Sequence, residues 1–313
     1  MSAVVRPMRE GDLATAQRIC RTAFGTFLGA PDPENFWTDR DYVYGRFDAE
    51  HTRSFAAELD GAVVGSNFAT RWGSVGFFGP LTVRPDLWDR GVAQPLVAAV
   101  CDAFNEWGLR HAGLCTFPHS PKHIHLYGKF GFYPRFLTAL MAAPARASSD
   151  GRWSRYSELP PGDRRAAEIA CREITEALYP GLDLGPEIRT CSARSLGDTL
   201  LLRDRSDRIA GFAVCHWGPA SEAGEGCCFI KFGAVRPGPE AGGQFAELLA
   251  AGRALAAAVA MPHLLAGVNL GREEAYRHMA ANEFRTEVQS VTLHRPNEPG
   301  YSRPGLFVLD DWR

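Results

Sequence analysis

The sequence predicts a two-domain α/β chain in which one unit of mixed strands and helices occurs twice in tandem. Three observations carry that reading. The chain has 313 residues, about twice the usual single-domain length. Strand-like and helix-like segments alternate in an order that is run through twice. The triplet Val83-Arg84-Pro85 recurs as Val235-Arg236-Pro237, an offset of 152 residues (84 to 236).

Taken in chain order, Val4-Val5-Arg6-Pro7 reads as a short strand, and Asp12 as the cap of a helix to about Phe24, with Leu13, Ala16, Ile19, Cys20 and Phe24 at helical spacing. A second helix is expected over residues 34–47. Residues 53–59 and 62–72 read as a hairpin, because Asp60-Gly61 between them favours a tight primed turn. Residues 74–83 read as the next strand. From 91 to 107 the apolar residues Leu96, Val97, Val100, Phe104 and Trp107 share one helical face. Residues 111–117 form a short strand. Ser120-Pro121 starts a helix, with the serine as N-cap and the proline where its missing N–H costs nothing. Residues 132–143 are extended again, and the polar stretch 146–152 marks the boundary.

The repeat is ungapped from Phe77 and Phe229 to Phe132 and Phe284. Gly91 meets Gly243, Leu96 meets Leu248, and His111 meets His263. Residues 166–178 repeat the opening helix, and 199–203 with 209–217 repeat the hairpin. The domains are therefore placed at 1–145 and 164–313, with 146–163 as linker. The tail from Pro299 has no counterpart in the first copy, and Leu306-Phe307-Val308-Leu309 adds a final strand.

Composition excludes several classes. With 34 Lys+Arg against 36 Asp+Glu and no run of like charge, nucleic acid is not an expected partner. No stretch of about 18 apolar residues offers a membrane span, and the N-terminus lacks the apolar core of a signal peptide, so the cytoplasm is the expected compartment. The 8 cysteines include no Cys-x-x-Cys pair and read as buried thiols. His119 and His123 have i, i+4 spacing, but Pro121 between them marks a helix start and no carboxylate follows, so no metal is expected.

The segment Leu81-Thr82-Val83-Arg84-Pro85-Asp86-Leu87-Trp88-Asp89-Arg90-Gly91-Val92-Ala93-Gln94 is a strand, a loop and a glycine opening an amphipathic helix. Such a junction aims backbone N–H groups and the helix dipole at one point, which makes an anion site. It resembles the acetyl-CoA pyrophosphate loop of the GNAT superfamily, Gln/Arg-x-x-Gly-x-Gly/Ala. Gly91 and Ala93 match its last two positions, Arg90 is the basic residue before the glycine, and Trp88 departs from the first. A second GNAT motif is similar to Ser120-Pro121-Lys122-His123-Ile124-His125-Leu126-Tyr127-Gly128-Lys129-Phe130-Gly131-Phe132.

The resemblance implies two tandem GNAT-like domains, each a mixed, mostly antiparallel sheet flanked by helices, and transfer of an acetyl group from acetyl-CoA to an amine of a small-molecule acceptor. It implies cofactor contacts at Leu81, Thr82, Val83, Asp89, Arg90, Gly91, Val92, Ala93, Gln94 and Ser120. Backbone N–H near Leu81 would meet the oxyanion, and backbone around Val83 the pantetheine. Tyr127 matches the family's tyrosine facing the CoA sulfur, a candidate general acid; its other reading is a core aromatic.

Freeing an alkyl amine at pH 7 costs roughly 4–5 kcal/mol unless a base accepts the proton. Residues 74–83 carry no acid, and His119 is the candidate base. Phe36, Trp37, Tyr42, Tyr44 and Phe47 are candidates for an aromatic acceptor wall, or for core. In the second copy Tyr127 becomes Met279 and Ala93 becomes Phe245, so it is read as degenerate and the chemistry as confined to the first. The competing readings are a non-catalytic acyl-CoA-binding or regulatory protein, and another CoA reaction such as decarboxylation.

Overall fold

The first copy is laid down in chain order as β1 (Val4–Pro7), α1 (Leu13–Phe27), α2 (Tyr44–Phe47), β2 (Thr52–Leu59), β3 (Ala62–Trp72), β4 (Val75–Phe78), β5 (Thr82–Val83), α3 (Ala93–Glu106), β6 (His111–Thr116), α4 (Pro121–Gly128) and β7 (Tyr133–Pro144). The second follows as β8 (Trp153–Arg155), α5 (Pro161–Leu178), α6 (Gly185–Ala193), β9 (Gly197–Arg203), β10 (Ile209–Gly218), β11 (Gly224–Val235), α7 (Ala241–Ala258), β12 (His263–Asn269), α8 (Glu273–Ala281), β13 (Arg285–Arg295) and β14 (Val308–Asp310). The structure, a computed structural model, describes residues 3–148 and 151–311. Ser149 and Asp150 of the boundary stretch 146–152, and the residues at the two ends, lie outside the described residues.

Local chemistry explains the elements that matter for the site. Asp60 (φ 52°) and Gly61 (φ 79°) both take positive φ and close the β2–β3 hairpin, the geometry of a primed turn. Leu96, Val97, Val100 and Phe104 are the buried face of α3. Ser120 caps α4 by accepting from the His123 N–H at 3.4 Å, with Pro121 at the first helical position.

Several expectations need correction. The helix expected over 34–47 is a loop, with a short turn at Pro33–Asn35 and only Tyr44–Phe47 helical. Trp37 takes φ 53°, which an α-helix does not allow. The single strand expected over 74–83 is broken between Phe78 and Thr82 at Gly79-Pro80. Asp12 does not cap α1 with its side chain; its carboxylate pairs with Arg6 at 2.7 Å and accepts the Arg9 N–H. Inside the stretch 146–163, read as linker, β8 forms and α5 begins.

Among the described residues all fourteen strands belong to one mixed sheet, ordered β1-β2-β3-β4-β6-β13-β7-β12-β11-β10-β9-β8, with β5 on β3 and β14 on β11. The β4·β6 and β11·β12 pairs are parallel and the others antiparallel. Between β6 and β12 the two copies exchange their last strands. The second copy's β13 lies against the first copy's β6, and the first copy's β7 lies against the second copy's β12. The central pair β7·β13 is therefore made by one strand from each copy.

Candidate active site

The first copy's sheet opens where β4 and β6 part. They pair from Val75↔His111 to Phe77↔Gly113, after which β4 breaks and β5 continues on β3 alone. The result is a wedge with β5 on one side and the end of β6 on the other. The Arg84 N–H donates to Val64 O of β3, so strand alternation turns the Val83 N–H to the opposite edge, into the wedge. Leu81 shares that direction by the same two-residue period. Thr82 is buried and bonds Ser66 through its hydroxyl at 3.0 Å.

The loop expected to bind pyrophosphate sits at the mouth of this wedge. Trp88, which departs from the family pattern, donates its indole N–H to Val83 O at 2.8 Å and so ties the loop to β5. Asp89 (φ 64°) and Gly91 (φ 80°) turn the chain left-handed before α3 begins at Ala93. A Cβ at Gly91 would meet nothing within 4 Å, so the glycine serves the backbone turn and the space beside it is open. Arg90 and Gln94 are exposed beside it. A helix N-terminus with an open glycine turn and a basic neighbour fits a pyrophosphate. Across the mouth, Lys122 of α4 pairs with Asp89 at 2.6 Å and lies 5.9 Å from the Trp88 ring. The N-cap Ser120 is buried just beyond.

Tyr127 points from α4 into the core of the first copy, 5.6 Å from Phe78 at the end of β4. Burial pushes its phenol well above the ordinary tyrosine value, so the group stays protonated. His119 is exposed and stacks on Phe27 at 5.7 Å. His123 is half-buried, with Nδ1 3.5 Å from the Thr116 hydroxyl at the end of β6 and its ring 6.5 Å from that of Tyr127. Burial lowers the His123 pKa, so the ring is neutral at pH 7. Of the expected aromatic wall, Phe36, Trp37 and Tyr42 stack on one another at 4.6 and 5.4 Å, while Tyr44 is exposed elsewhere. Phe24, Phe27 and Phe117, which sequence reasoning did not select, complete the aromatic group beside His119 and His123.

The equivalent wedge of the second copy is filled by the chain's own tail. Strand β14 pairs with β11 from Ala234↔Val308 to Phe232↔Asp310. The N–H of Val235, the counterpart of Val83, donates to Phe307 O at 3.3 Å. Phe307 packs at 5.3 Å on Phe245, the fully buried counterpart of Ala93. Helix α7 starts at Ala241, four residues before the position where α3 starts, so the turn that forms the phosphate loop is absorbed into helix. Asp310 anchors the tail: it pairs with the fully buried Arg272 and accepts the Tyr301 hydroxyl at 2.8 Å.

Sequence reasoning also missed a buried ionic cluster between the copies, formed by Arg46, His51, Glu187, Glu222 and Lys231 with His216 beside it. One signal was available: Lys231 stands alone in the apolar run Cys227-Cys228-Phe229-Ile230-Lys231-Phe232, where a lysine needs buried partners. Among the described residues no three His, Cys, Asp or Glu side chains are placed to hold a metal, and no helix is long and apolar enough to cross a membrane.

Comparison with known proteins bears on the family and the fold. Residues 19–132 match the Acetyltransferase (GNAT) family. No curated protein matches the sequence. Among solved structures, the fold is similar to a protein from Pyrococcus horikoshii classed as an acetyltransferase (TM-score 0.70, 12% identity, covering 100% of this chain and 95% of that one). It is similar to a GCN5-related N-acetyltransferase from Sphaerobacter thermophilus (TM-score 0.61, 16% identity, 94% and 95% covered). It is also similar to a tandem GNAT protein from the clavulanic acid biosynthesis pathway (TM-score 0.57, 13% identity, 94% and 98% covered). At these identities the structures speak for the fold, which is that of acyl-CoA-dependent N-acetyltransferases. Residues 19–132 thus match the GNAT acetyltransferase family, in a chain that has the tandem GNAT fold.

Proposed function

We propose that the chain moves an acetyl group from acetyl-CoA to an amine of a small molecule, with the chemistry in the first copy. The contrast between the two wedges carries the reading. The first has an open glycine turn at its mouth and the Val83 N–H directed inward, whereas the second is closed by β14, Phe245 and Phe307. Acetyl-CoA supplies the activated acyl group and the thiolate that leaves. Backbone at Leu81 and Val83 holds the pantetheine arm and the acyl oxygen, Thr82 between them keeps its own backbone on β3, and Asp89, Arg90, Gly91, Val92, Ala93 and Gln94 hold the pyrophosphate, with Ser120 at the far wall.

Tyr127 returns a proton to the sulfur. Its raised pKa keeps the donor form present across the working pH range. His119 is the candidate proton acceptor at the mouth, and His123, neutral and nearer to Tyr127, can relay through it. The domain division 1–145, 146–163 and 164–313 is retained as a division of labour rather than of folding, since β13 completes the first copy's sheet.

The test is release of free CoA thiol from acetyl-CoA against a panel of small amines. Release with at least one amine, lost in Gly91→Glu, supports the reading. Tight acetyl-CoA binding with no thiol released to any amine would support a regulatory CoA-binding protein instead, a reading favoured by the absence of an acid on 74–83. Carbon dioxide released from malonyl-CoA would identify a decarboxylase.

A further inference from the structure

A chain of buried charges runs across the seam between the copies and ends on the first copy's broken strand. Arg46 of α2 donates through Nη1 to the Gly79 carbonyl and through Nε to Glu222 at 2.9 Å. Lys231 of β11 donates to the same Glu222 oxygen at 3.0 Å and pairs with Glu187 at 3.3 Å. Glu187 accepts from the Trp72 indole at 3.0 Å and lies 2.8 Å from His51 Nε2. Arg46, His51 and Trp72 come from the first copy; Glu187, Glu222 and Lys231 come from the second. The cluster leaves a cavity of about 20 Å³, room for a single water.

Such a cluster is a poor way to gain stability, because taking each ion from water costs several kcal/mol before its partners repay it. Its end point suggests what it does. Gly79 is where β4 stops. Its N–H donates to Phe68 O of β3 at 2.9 Å, and its φ of 137° is open in practice to glycine alone. That turn takes the Gly79 carbonyl out of the ladder with β6, and Arg46 is the donor that meets it. Two residues further on are Leu81 and the start of β5, the backbone side of the wedge.

We infer that Arg46 and Glu222 are positioning residues: through them the second copy fixes the turn at Gly79 and holds the first copy's wedge open. The degenerate copy thus contributes geometry to a site in which it has no reacting group. The inference rests on the reading that acetyl-CoA enters the first wedge.

The test compares Arg46→Met, Arg46→Lys and Glu222→Gln with Arg253→Met in the full-length protein. Arg253 of α7 is a control of the same kind at a distance: it is buried and bridges the copies through Pro144 O at 2.9 Å. Two readouts are taken, acetyl-CoA affinity by calorimetry and amide hydrogen exchange by peptide. Arg46→Met and Glu222→Gln should each weaken acetyl-CoA about tenfold or more, the scale of one charged hydrogen bond. Exchange across 79–83 should rise at least tenfold while exchange in β9 and β10 stays unchanged, and Arg46→Lys should recover part of both effects. Affinity within twofold of wild type with unchanged exchange at 79–83 overturns the inference. So does an equal loss in Arg253→Met, or exchange that rises uniformly over the chain. Wild-type protein that binds no acetyl-CoA would remove the proposed function alone, and exchange at 79–83 would then decide the positioning role.

Discussion

Thr138 of β7 and Ser290 of β13 face one another directly in the central strand pair, and they are the same position of the two copies, 152 residues apart. A pseudo-twofold axis passes between them. The flanking registers obey it: Val268↔Ala139 on one side corresponds to Val291↔Thr116 on the other, each residue moved by the repeat length. The copies are therefore interlocked through their last strands, and neither sheet is complete within its own half.

A first prediction concerns separability. Residues 1–145 expressed alone lack β12 and β13, so β6 and β7 both lose neighbours that they have in the full chain. The fragment exposes unpaired strand edges, which aggregate or fail to fold. It is expected to be insoluble, or to show none of the protection from hydrogen exchange expected at residues 111–116 of the full chain, where β6 is paired on both sides. A soluble, fully protected fragment that binds acetyl-CoA would show that β13 is dispensable.

The two glycines at equivalent places give a second prediction. Gly91→Glu puts a carboxylate at the mouth of the open wedge and strains a backbone at φ 80°; acetyl-CoA affinity should fall at least a hundredfold by calorimetry. Gly243→Glu lies inside α7 beside a closed wedge, and affinity should stay within about twofold. Equal effects at the two sites would refute the assignment of the cofactor to the first copy.

How far these features were legible in the sequence follows from the range of the forces involved. The β2–β3 hairpin and the start of α4 were readable to the residue, because Asp60-Gly61 and Ser120-Pro121 act through their own backbone. The glycine turn that opens α3 was readable for the same reason. A helix was expected over 34–47, yet Trp37 packs on Phe36 and on Phe24 of α1 from a loop. That is a tertiary contact no local pattern encodes. Strand exchange was invisible on principle: β13 presents the same residues whether it returns to its own sheet or crosses to the other. Arg46 and Glu222 were hidden because burial of a surface-type residue depends on partners far along the chain, here 176 residues apart.

The tail supplies a third prediction. Asp310→Asn leaves the guanidinium of Arg272, fully buried, without its counter-charge, a change worth about 3–5 kcal/mol. The midpoint of urea unfolding should fall accordingly. Acetyl-CoA affinity at 25 °C, measured where the variant is still folded, should remain within about threefold of wild type. A second acetyl-CoA per chain would mean that β14 alone closes the second wedge and that Phe245 does not.

Acid should destabilise the protein earlier than carboxylate protonation alone predicts. Burial lowers the pKa of His216 and His294 to about 4 and that of His111, also facing His294, to about 3, from an ordinary 6.5. The unfolded chain takes up these protons first, so the stability they contribute is complete above pH 6.5 and is lost as pH falls toward 4. His216 alone accounts for about 2 kcal/mol between pH 7.5 and 5. Glu222, lowered to about 2 by Arg46 and Lys231 against the cost of its burial, extends the loss below pH 4.5. Urea midpoints measured at half-unit steps should decline from pH 6.5 downward, and a flat profile between 6.5 and 5 would contradict the neutral buried histidines.

Tyr127 separates an enzyme from a CoA-binding protein most directly. Tyr127→Phe keeps the ring against Phe78 and removes only the hydroxyl, so folding and acetyl-CoA affinity should survive. If the phenol returns the proton to the departing thiolate, its loss should lower kcat by about 10²–10⁴, or roughly 3–5 kcal/mol of barrier, with the acetyl-CoA KM nearly unchanged. The pH profile adds a second check. Because burial raises the phenol pKa far above its ordinary value, its ionisation lies beyond the accessible range, and the wild-type kcat should show no decline up to pH 10 that Tyr127→Phe abolishes. The acidic limb should instead persist in Tyr127→Phe and shift in His123→Gln, since burial lowers the His123 pKa. Met279→Tyr, at the equivalent place in the second copy, should restore nothing to Tyr127→Phe, because β14 and Phe245 still fill that wedge. A Tyr127→Phe enzyme with kcat within about threefold of wild type would leave proton return to water and return the tyrosine to the core it packs in.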